Sequence, residues 1–297
     1  MDSPDILELL RQLQTTHEED RHLYRGQIRR YEPHRWSVQR EVREVEALYP
    51  AHYRFHYQNK DFSNENLERT VQRASAARAF GRTVRDQFSL FLCLTLIAEG
   101  QQGAWGRARE LFPELVDAAK AKRPPLDGHL FRVAWSLAQH YAIATALTDL
   151  TFSPCIAAWF ATEPWDPGGK RPAPGTHGVI YRVHRAKLEA ILARASELSR
   201  AMSEAGGAAQ APEFFLVDIR DVPTSFARRP AAQHGASLYG FDQAHIIAAA
   251  FKGGAIEAFE FEHRPGADIG VVRGDVVPAD DPFLPRLARF AAFRDAL

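Results

Sequence analysis

The sequence contains little cysteine and no excess of charge of either sign. Only Cys93 and Cys155 occur in 297 residues, far apart and each within an apolar stretch. Two such residues do not support a disulfide framework, and we expect both to be buried, reduced thiols. Lysine plus arginine and aspartate plus glutamate both number 37. The zero formal charge argues against general electrostatic binding of nucleic acid. It does not exclude a local basic patch.

Long apolar runs are also missing. The longest, FSLFLCLTLIA at residues 88–98, is too short to span a bilayer and is predicted to form a buried helix. The first residues, MDSPDILELL, are acidic and amphipathic, whereas a signal peptide begins with basic and then apolar residues. We therefore expect a cytoplasmic protein that has no membrane partner.

Several familiar motifs for catalysis and binding do not occur. None of the twelve histidines forms H-E-x-x-H or a paired Cys/His spacing, so no metal site is predicted. The absence of G-x-x-x-x-G-K-[ST] and G-x-G-x-x-G argues against nucleotide binding of the P-loop or Rossmann type. Ser153 lacks the G-x-S-x-G elbow, which argues against a hydrolase triad with His140 and Asp149.

The patterns that are present place helices mainly in the first half of the chain and strands mainly in the second. Residues 37–57 are charged and helical in pattern, and 40–127 is predicted to be a helical insertion. One early strand candidate, RHLYRGQ, must join the later strands. We expect an α+β fold with a mixed or split sheet, in a single domain over 1–297. The later strand candidates are LTDLT, GVIYRVH, EFFLVDIRDV, ASLYGF, IEAFEFE and AHIIAAAF, of which the last could instead be a helix.

Arg25 is the first candidate site residue, at the end of the early strand in Tyr24-Arg25-Gly26-Gln27. A guanidinium there could bind a phosphate or a ribose through two hydrogen bonds. Gly26 would let the ligand approach the backbone, and the Gln27 amide could reach the same ligand. The alternative is an arginine that makes a surface ion pair.

A second polar stretch covers residues 138–163. Gln139, His140 and Tyr141 stand together where a helix is predicted to end, and Asp149 is flanked by leucines. Asp149 is expected to be half-buried, where it could orient His140 or pin a backbone turn.

The same stretch continues with Thr145, Thr151 and Ser153 and then an alanine-rich helix. Ser153 before Pro154 fits the start of that helix, with the serine as N-cap and the proline in the first turn.

A third stretch, residues 225–241, contains Arg229-Pro230 followed by Gln233-His234-Gly235. Gln233 could present its amide to a sugar hydroxyl. The alternative is that these residues serve only the turn before a strand.

Together these stretches resemble the FRG domain family, named after a Phe/Tyr-Arg-Gly motif, over residues from about 20 to 245. The second stretch keeps the family's His, Tyr, Thr, Leu, Asp and Thr. It replaces the family's Gly, Pro, Arg and Trp with Ala142, Ala144, Ala146 and Leu150.

The FRG family in turn resembles the ADP-ribosyltransferase fold, which implies a split sheet of that type. By this resemblance Arg25 would hold the ribose and phosphate of NAD, and Gln233 would lie near the reacting ribose. The resemblance implies catalytic roles for Arg25, His140 and Gln233, with Asp149 in support. Its implied NAD-binding residues are Arg25, Gly26, Gln27, Tyr141, Thr151 and Ser153.

The implied function is an NAD-dependent ADP-ribosyltransferase that cleaves the nicotinamide–ribose bond and modifies a macromolecule, either protein or nucleic acid. The family context adds a toxin-like effector in bacterial defence against phage, and with it an inhibitor or partner protein. The alternatives are a non-catalytic nucleotide-sensing or scaffolding domain, and an NAD glycohydrolase.

The resemblance leaves the catalytic carboxylate open. Gln233 carries no charge and cannot act as a general base, so Asp149 or His140 would have to supply that role. Glu260 and Glu262 are competing carboxylates on one face of IEAFEFE, with Glu257 on the other. The plainer interpretation of these glutamates is an exposed face of an edge strand.

Overall fold

A computed structural model describes the parts of the chain that form the sheet and its helices. Most of the predicted helical insertion, from residue 46 to residue 127, lies outside the described residues, as does Cys93. The described residues are 4–30, 34–38, 41–45, 128–141, 145, 147–164, 169–206, 213–222, 224–241, 244–285 and 287.

The fold is α+β, as the sequence predicts. The described strands are β1 (His22–Gln27), β2 (His34–Val38), β3 (Glu41–Val45), β4 (Leu147–Thr151), β5 (His177–His184), β6 (Phe215–Asp218), β7 (Gly235–Tyr239) and β8 (Ile256–Glu262). The described helices are α1 (Ile6–Thr15), α2 (Gly128–His140), α3 (Pro154–Thr162), α4 (Arg185–Ala205), α5 (Arg229–Ala232), α6 (Ala244–Lys252) and α7 (Arg273–Val276). AHIIAAAF therefore forms helix α6 and not a strand. No helix among these is long and apolar enough to cross a membrane.

Six of the strands form one open sheet in the order β6-β7-β4-β1-β5-β8. All described pairs of neighbouring strands in this sheet run antiparallel. The predicted alternative of a mixed sheet, with parallel and antiparallel pairs, is therefore wrong. β1 pairs with β5 along its whole length, from His22 to Gln27. On its other side it pairs with β4 at one register position only, Tyr24 opposite Thr151. The sheet therefore divides between β1 and β4, and we refer to this opening as the split.

The prediction of a helix from residue 37 was wrong for its first part. Residues 34–38 and 41–45 form a separate antiparallel pair, β2 with β3. Val42 and Val45 are three residues apart with charged residues between them, which suits a helix. The observed backbone register instead places residue 35 opposite residue 44.

Side-chain alternation along the strands divides the core between the two faces of the sheet. We call the first the α4 face, because Leu23, Leu150 and Val179 pack there with residues of α4 and α6. The opposite face, which we call the α3 face, is covered by α1 and α3 beside Tyr24. Helix α2 covers the α3 face where β4, β7 and β6 lie side by side, through a second apolar cluster.

A row of histidines lies on the α3 face where β1 pairs with β5. The Glu18 main-chain N–H donates to Nδ1 of His22 at 3.1 Å. Nε2 of His22 lies 3.2 Å from Nδ1 of His184, whose Nε2 lies 3.2 Å from a Glu257 carboxylate oxygen. Because a main-chain N–H can only donate, Nδ1 of His22 must accept and the ring is held in its neutral form.

This arrangement makes stability depend on pH. Burial, and then the charges of His184 and Arg182, lower the pKa of His22 below its usual value of 6.5. The unfolded chain keeps the usual pKa, so it binds protons before the folded protein does as the pH falls. We expect the free energy of unfolding to decrease below about pH 6.5 and to level off below the folded-state pKa.

Urea denaturation at about pH 7.5 and about pH 5.5 measures this effect. The control is His22→Asn, whose side-chain oxygen can still accept from Glu18 and does not titrate. The variant should lose less stability than the wild type between the two pH values. An equal loss in both proteins would show that His22 is not responsible.

Candidate functional site

Arg25 lies on the α4 face of β1, on the same side of the strand as Leu23. Its side chain is largely buried, with 9% of the residue's surface exposed. Nη1 donates a 2.7 Å hydrogen bond to the main-chain carbonyl of Asp149 on β4. This bond crosses the split, beyond the single paired position between the strands. The alternative of a surface arginine is therefore wrong, because Arg25 is buried and holds a carbonyl.

Gln27 lies two residues further along β1, on the same face as Arg25. It is buried, with 3% of its surface exposed. Within the part of the chain that the structure describes, neither its amide nitrogen nor its amide oxygen has a hydrogen-bond partner. A buried amide that makes no hydrogen bond is destabilising and is uncommon in folded proteins.

Gly26 points towards helix α3 and not towards an open ligand space. A side-chain carbon built on this residue would lie 1.8 Å from the carbonyl oxygen of Ala157 and 2.9 Å from the main-chain nitrogen of Ala161. The close approach that requires a glycine here is made by the backbone of α3. The predicted role of Gly26 in ligand approach is therefore corrected to helix packing.

His140 and Gln233 form the hydrogen-bonded centre of the second group of site residues. Nε2 of Gln233 donates to the main-chain carbonyl of Val276 at 3.1 Å, so its Oε1 must be the atom that faces His140. Oε1 lies 2.7 Å from Nδ1 of His140, and since Oε1 can only accept, Nδ1 carries a proton. Gly235 makes room for the ring, because an added side-chain carbon would lie 2.8 Å from Cε1 of His140.

Asp149 faces the other nitrogen of the same imidazole. Oδ1 of Asp149 lies 3.7 Å from Nε2 of His140, and among the described residues neither atom has a hydrogen-bond partner. Oδ2 accepts from the Gln139 amide, which in turn accepts from the hydroxyl of Thr145. Asp149 therefore lies beside His140, as one of its two predicted roles required.

Thr151 and Ser153 make local hydrogen bonds. The Thr151 hydroxyl donates to the main-chain carbonyl of Gln233 at 2.7 Å and accepts from the Ser153 N–H. The Ser153 hydroxyl accepts from the Ile156 N–H at 3.3 Å as the N-cap of α3, with Pro154 in the first turn. The N-cap prediction for Ser153 is thus confirmed, and Thr151 joins β4 to the turn before β7.

Tyr141 is buried and its hydroxyl is already used. It donates to Asp281 at 2.5 Å, and the Arg229 guanidinium lies 4.7 Å from the ring centre. Burial and the Asp281 bond raise the pKa of Tyr141 well above its usual range. These contacts hold Tyr141 beside Asp281 and Arg229, and they favour a structural role over NAD binding.

Asp281 was not among the residues predicted from the sequence, and it is 2% exposed. Its carboxylate accepts from the main-chain N–H groups of Arg228, Arg229 and Phe283 as well as from Tyr141. This residue ties the turn before β7 to the end of α2. Nothing in its surrounding sequence, ADDPF, identifies a partner 140 residues away.

The structure divides the predicted site residues between the two faces of the sheet. Arg25 and Gln27 lie on the α4 face, whereas His140, Asp149 and Gln233 lie on the side covered by α2. The hydrogen bond from Arg25 to the Asp149 carbonyl joins the two groups at the split. In the described part of the chain no group of three or more His, Cys, Asp or Glu residues could hold a metal ion.

The competing glutamates fall on the two faces that alternation predicts. Glu260 lies opposite Val179 of β5, and Val179 in turn lies opposite Gln27 of β1. Glu260 and Gln27 therefore share the α4 face. Its carboxylate forms an ion pair with Arg30. Glu257, on the α3 face, bonds to Arg182 and His184.

The model of the FRG domain family matches residues 66–168, which confirms the resemblance proposed from the sequence. The matched range contains α2, β4 and α3, and with them His140, Asp149 and Ser153. The Tyr-Arg-Gly motif and the Gln233 segment lie outside it. No curated protein and no solved structure matched the chain.

Proposed function

We propose, on the premise of the FRG-domain match, that this protein binds NAD at the split and transfers its ADP-ribose to a macromolecule. The observation that supports this proposal is the adjacency of the three sequence motifs. Arg25 lies on β1, Asp149 and Thr151 on β4, and Gln233 immediately before β7, and these strands are neighbours in the sheet. The resemblance to ADP-ribosyltransferases implies three such strands around one NAD site.

Arg25 would hold the diphosphate or ribose of NAD. Nη1 of its guanidinium is directed at the Asp149 carbonyl. This bond fixes the side chain across the opening, so little conformational entropy is lost when an anion binds.

Asp149, beside His140, would accept the proton that the nucleophile releases in the transfer reaction. The bond between ribose C1′ and the nicotinamide nitrogen breaks, and its electron pair leaves with nicotinamide. The acceptor nucleophile bonds to C1′, and its proton passes to the Asp149 carboxylate beside Nε2 of His140. The carboxylate also stabilises the positive charge that develops on the ribose.

Gln233 would act as a positioning residue in this scheme. Both ends of its amide are bonded, to His140 and to the Val276 carbonyl. Reaching a ribose hydroxyl would break one of these bonds. Gln233 therefore fixes the tautomer of His140, which leaves Nε2 directed at Asp149.

A second candidate function is nucleotide binding without chemistry. Gln233 favours this candidate. It occupies the position that the resemblance places near the reacting ribose, yet it carries no charge and both ends of its amide are already hydrogen-bonded. A third candidate, NAD hydrolysis, differs only in using water as the acceptor. In the transferase proposal the protein is a cytoplasmic, toxin-like effector of defence that modifies protein or nucleic acid, with an inhibitor or partner protein.

Incubation of the protein with radiolabelled NAD and a bacterial lysate tests these functions. Label on protein or nucleic acid supports transfer, and free ADP-ribose supports hydrolysis. NAD binding without turnover supports the non-catalytic candidate, and absence of both binding and turnover rejects all three.

Arg25→Lys should weaken NAD binding about ten- to a hundredfold, because lysine keeps the charge and loses the planar fork of donors. Isothermal titration calorimetry measures the affinity. The matched control is Arg182→Lys, since Arg182 lies opposite Tyr24 on β5 and bonds to Glu257 on the other face. Equal affinities in the two variants would contradict the role of Arg25.

A further inference from the structure

Gln27 combines burial with an amide that has no partner, which separates it from the other described glutamines near the split. Both of its polar atoms are unbonded within the described residues. Gln139 and Gln233 use both ends of their amides. A buried amide without a partner lowers the stability of the unliganded protein. The stability of the fold therefore does not explain why a glutamine occupies this position.

The position of Gln27 relates it to the proposed NAD site. Gln27 and Arg25 project from the same face of β1, and their Cα atoms are about 7 Å apart at the usual rise of a strand. The backbone of β1 at Gln27 pairs with Val179 of β5 on one side. Its other side borders the split, because β1 and β4 pair only at Tyr24 and Thr151.

We infer that the Gln27 amide binds a ligand group that presents a hydrogen-bond acceptor and a donor side by side. This inference rests on the proposed function and assigns a specific part of the substrate to this residue. The amide nitrogen would donate to the ligand acceptor and the amide oxygen would accept from the ligand donor. Arg25 would hold the anionic part of the same molecule.

Two parts of NAD have this chemistry. The carboxamide of nicotinamide offers a carbonyl oxygen and an NH₂ group. The edge of adenine offers a ring nitrogen and an amino group, to which a glutamine amide can make two hydrogen bonds. A carboxylate, as in nicotinic acid, lacks the donor and would leave the Gln27 oxygen unpaired.

The test uses calorimetric binding of nicotinamide mononucleotide and of ADP-ribose to the wild-type protein and to Gln27→Met. Methionine preserves the length of the side chain and removes both polar atoms. If the carboxamide is the ligand group, the variant binds nicotinamide mononucleotide about ten- to a hundredfold more weakly and binds ADP-ribose unchanged. The wild-type protein should also reject nicotinic acid mononucleotide, and the variant should not discriminate between the two mononucleotides.

If the adenine edge is the ligand group, the loss falls on ADP-ribose and spares nicotinamide mononucleotide. Equal affinities of both proteins for both probes would overturn the inference, and so would failure of the wild type to bind either probe. Because binding is measured without turnover, absence of ADP-ribose transfer would refute the proposed function and leave this result intact.

A stability measurement separates a ligand-binding role from a structural one. Removing an unpaired amide should raise the melting temperature of the unliganded protein, by about 3 °C for a chain of this size. The matched comparison is Gln139→Met, which removes two hydrogen bonds and should lower the melting temperature. A lower melting temperature for Gln27→Met would show that the amide supports the fold, and would overturn the inference.

Discussion

Gly26→Ala is expected to lower the free energy of unfolding by about 3 kcal/mol or more. The added carbon would lie 1.8 Å from the Ala157 carbonyl oxygen and 2.9 Å from the Ala161 nitrogen. Both are main-chain atoms of α3, so no side chain can rotate away to relieve the clash. The helix must move from the sheet, and it packs there against the centre of β1 through Ala157, Ala158 and Ala161.

Urea denaturation measures this loss, and Gly274→Ala is the matched control. Gly274 lies in the short helix α7, where an added side-chain carbon meets nothing within 4 Å. Alanine there should leave stability unchanged or raise it slightly. If Gly26→Ala kept wild-type stability and lost only ligand binding, Gly26 would serve ligand approach and not helix packing.

Asp149→Asn is expected to reduce NAD turnover about 100- to 10,000-fold while leaving the fold intact. The asparagine oxygen can accept from Gln139 as the carboxylate does. Its NH₂ group would face Nε2 of His140, which lies 3.7 Å from the present carboxylate oxygen. Nε2 can accept from that group because the ring proton is on Nδ1, bonded to Gln233. The substitution therefore removes the proton acceptor and supplies a hydrogen bond in its place.

Single-turnover kinetics and thermal denaturation of the same preparation check both halves of this prediction. Asp268→Asn, at an exposed position, is the control and should change neither. Turnover within twofold of the wild type would exclude Asp149 as the proton acceptor. Lost turnover together with a lower melting temperature would indicate instead that the carboxylate stabilises the fold.

Most of the individual elements around the site are predictable from the sequence, since their signals are local. The Ser153-Pro154 pair identified the start of α3 from two adjacent residues. The residues of β3 were predicted to be helical, because two valines three residues apart fit the period of a helix and not the alternation of a strand. The residues of α6 were left open between helix and strand, because a short apolar run such as AHIIAAAF fits either element.

The site was predicted less completely than the elements. Of the residues that the resemblance named, His140, Asp149 and Gln233 come together through direct contacts. Asp281 was missed because all that identifies it is its set of partners, which are distant in sequence. Gly26 was named for the right property, a close approach to the backbone, but the neighbour that approaches is a helix.

Three properties follow from the order of the residues alone: the α+β class, the alternation that sets which side of a strand each residue occupies, and the FRG resemblance. These properties depend on spacing and residue type within short segments, so they can be derived without knowing how the segments pack. Three others depend on how the strands pack: β1 and β4 pair at one position, Arg25 and Gln27 lie on the opposite face from His140 and Gln233, and the Gln27 amide has no partner in the described chain. These features arise from strand order and register, which join residues more than a hundred positions apart, and no local pattern encodes such contacts.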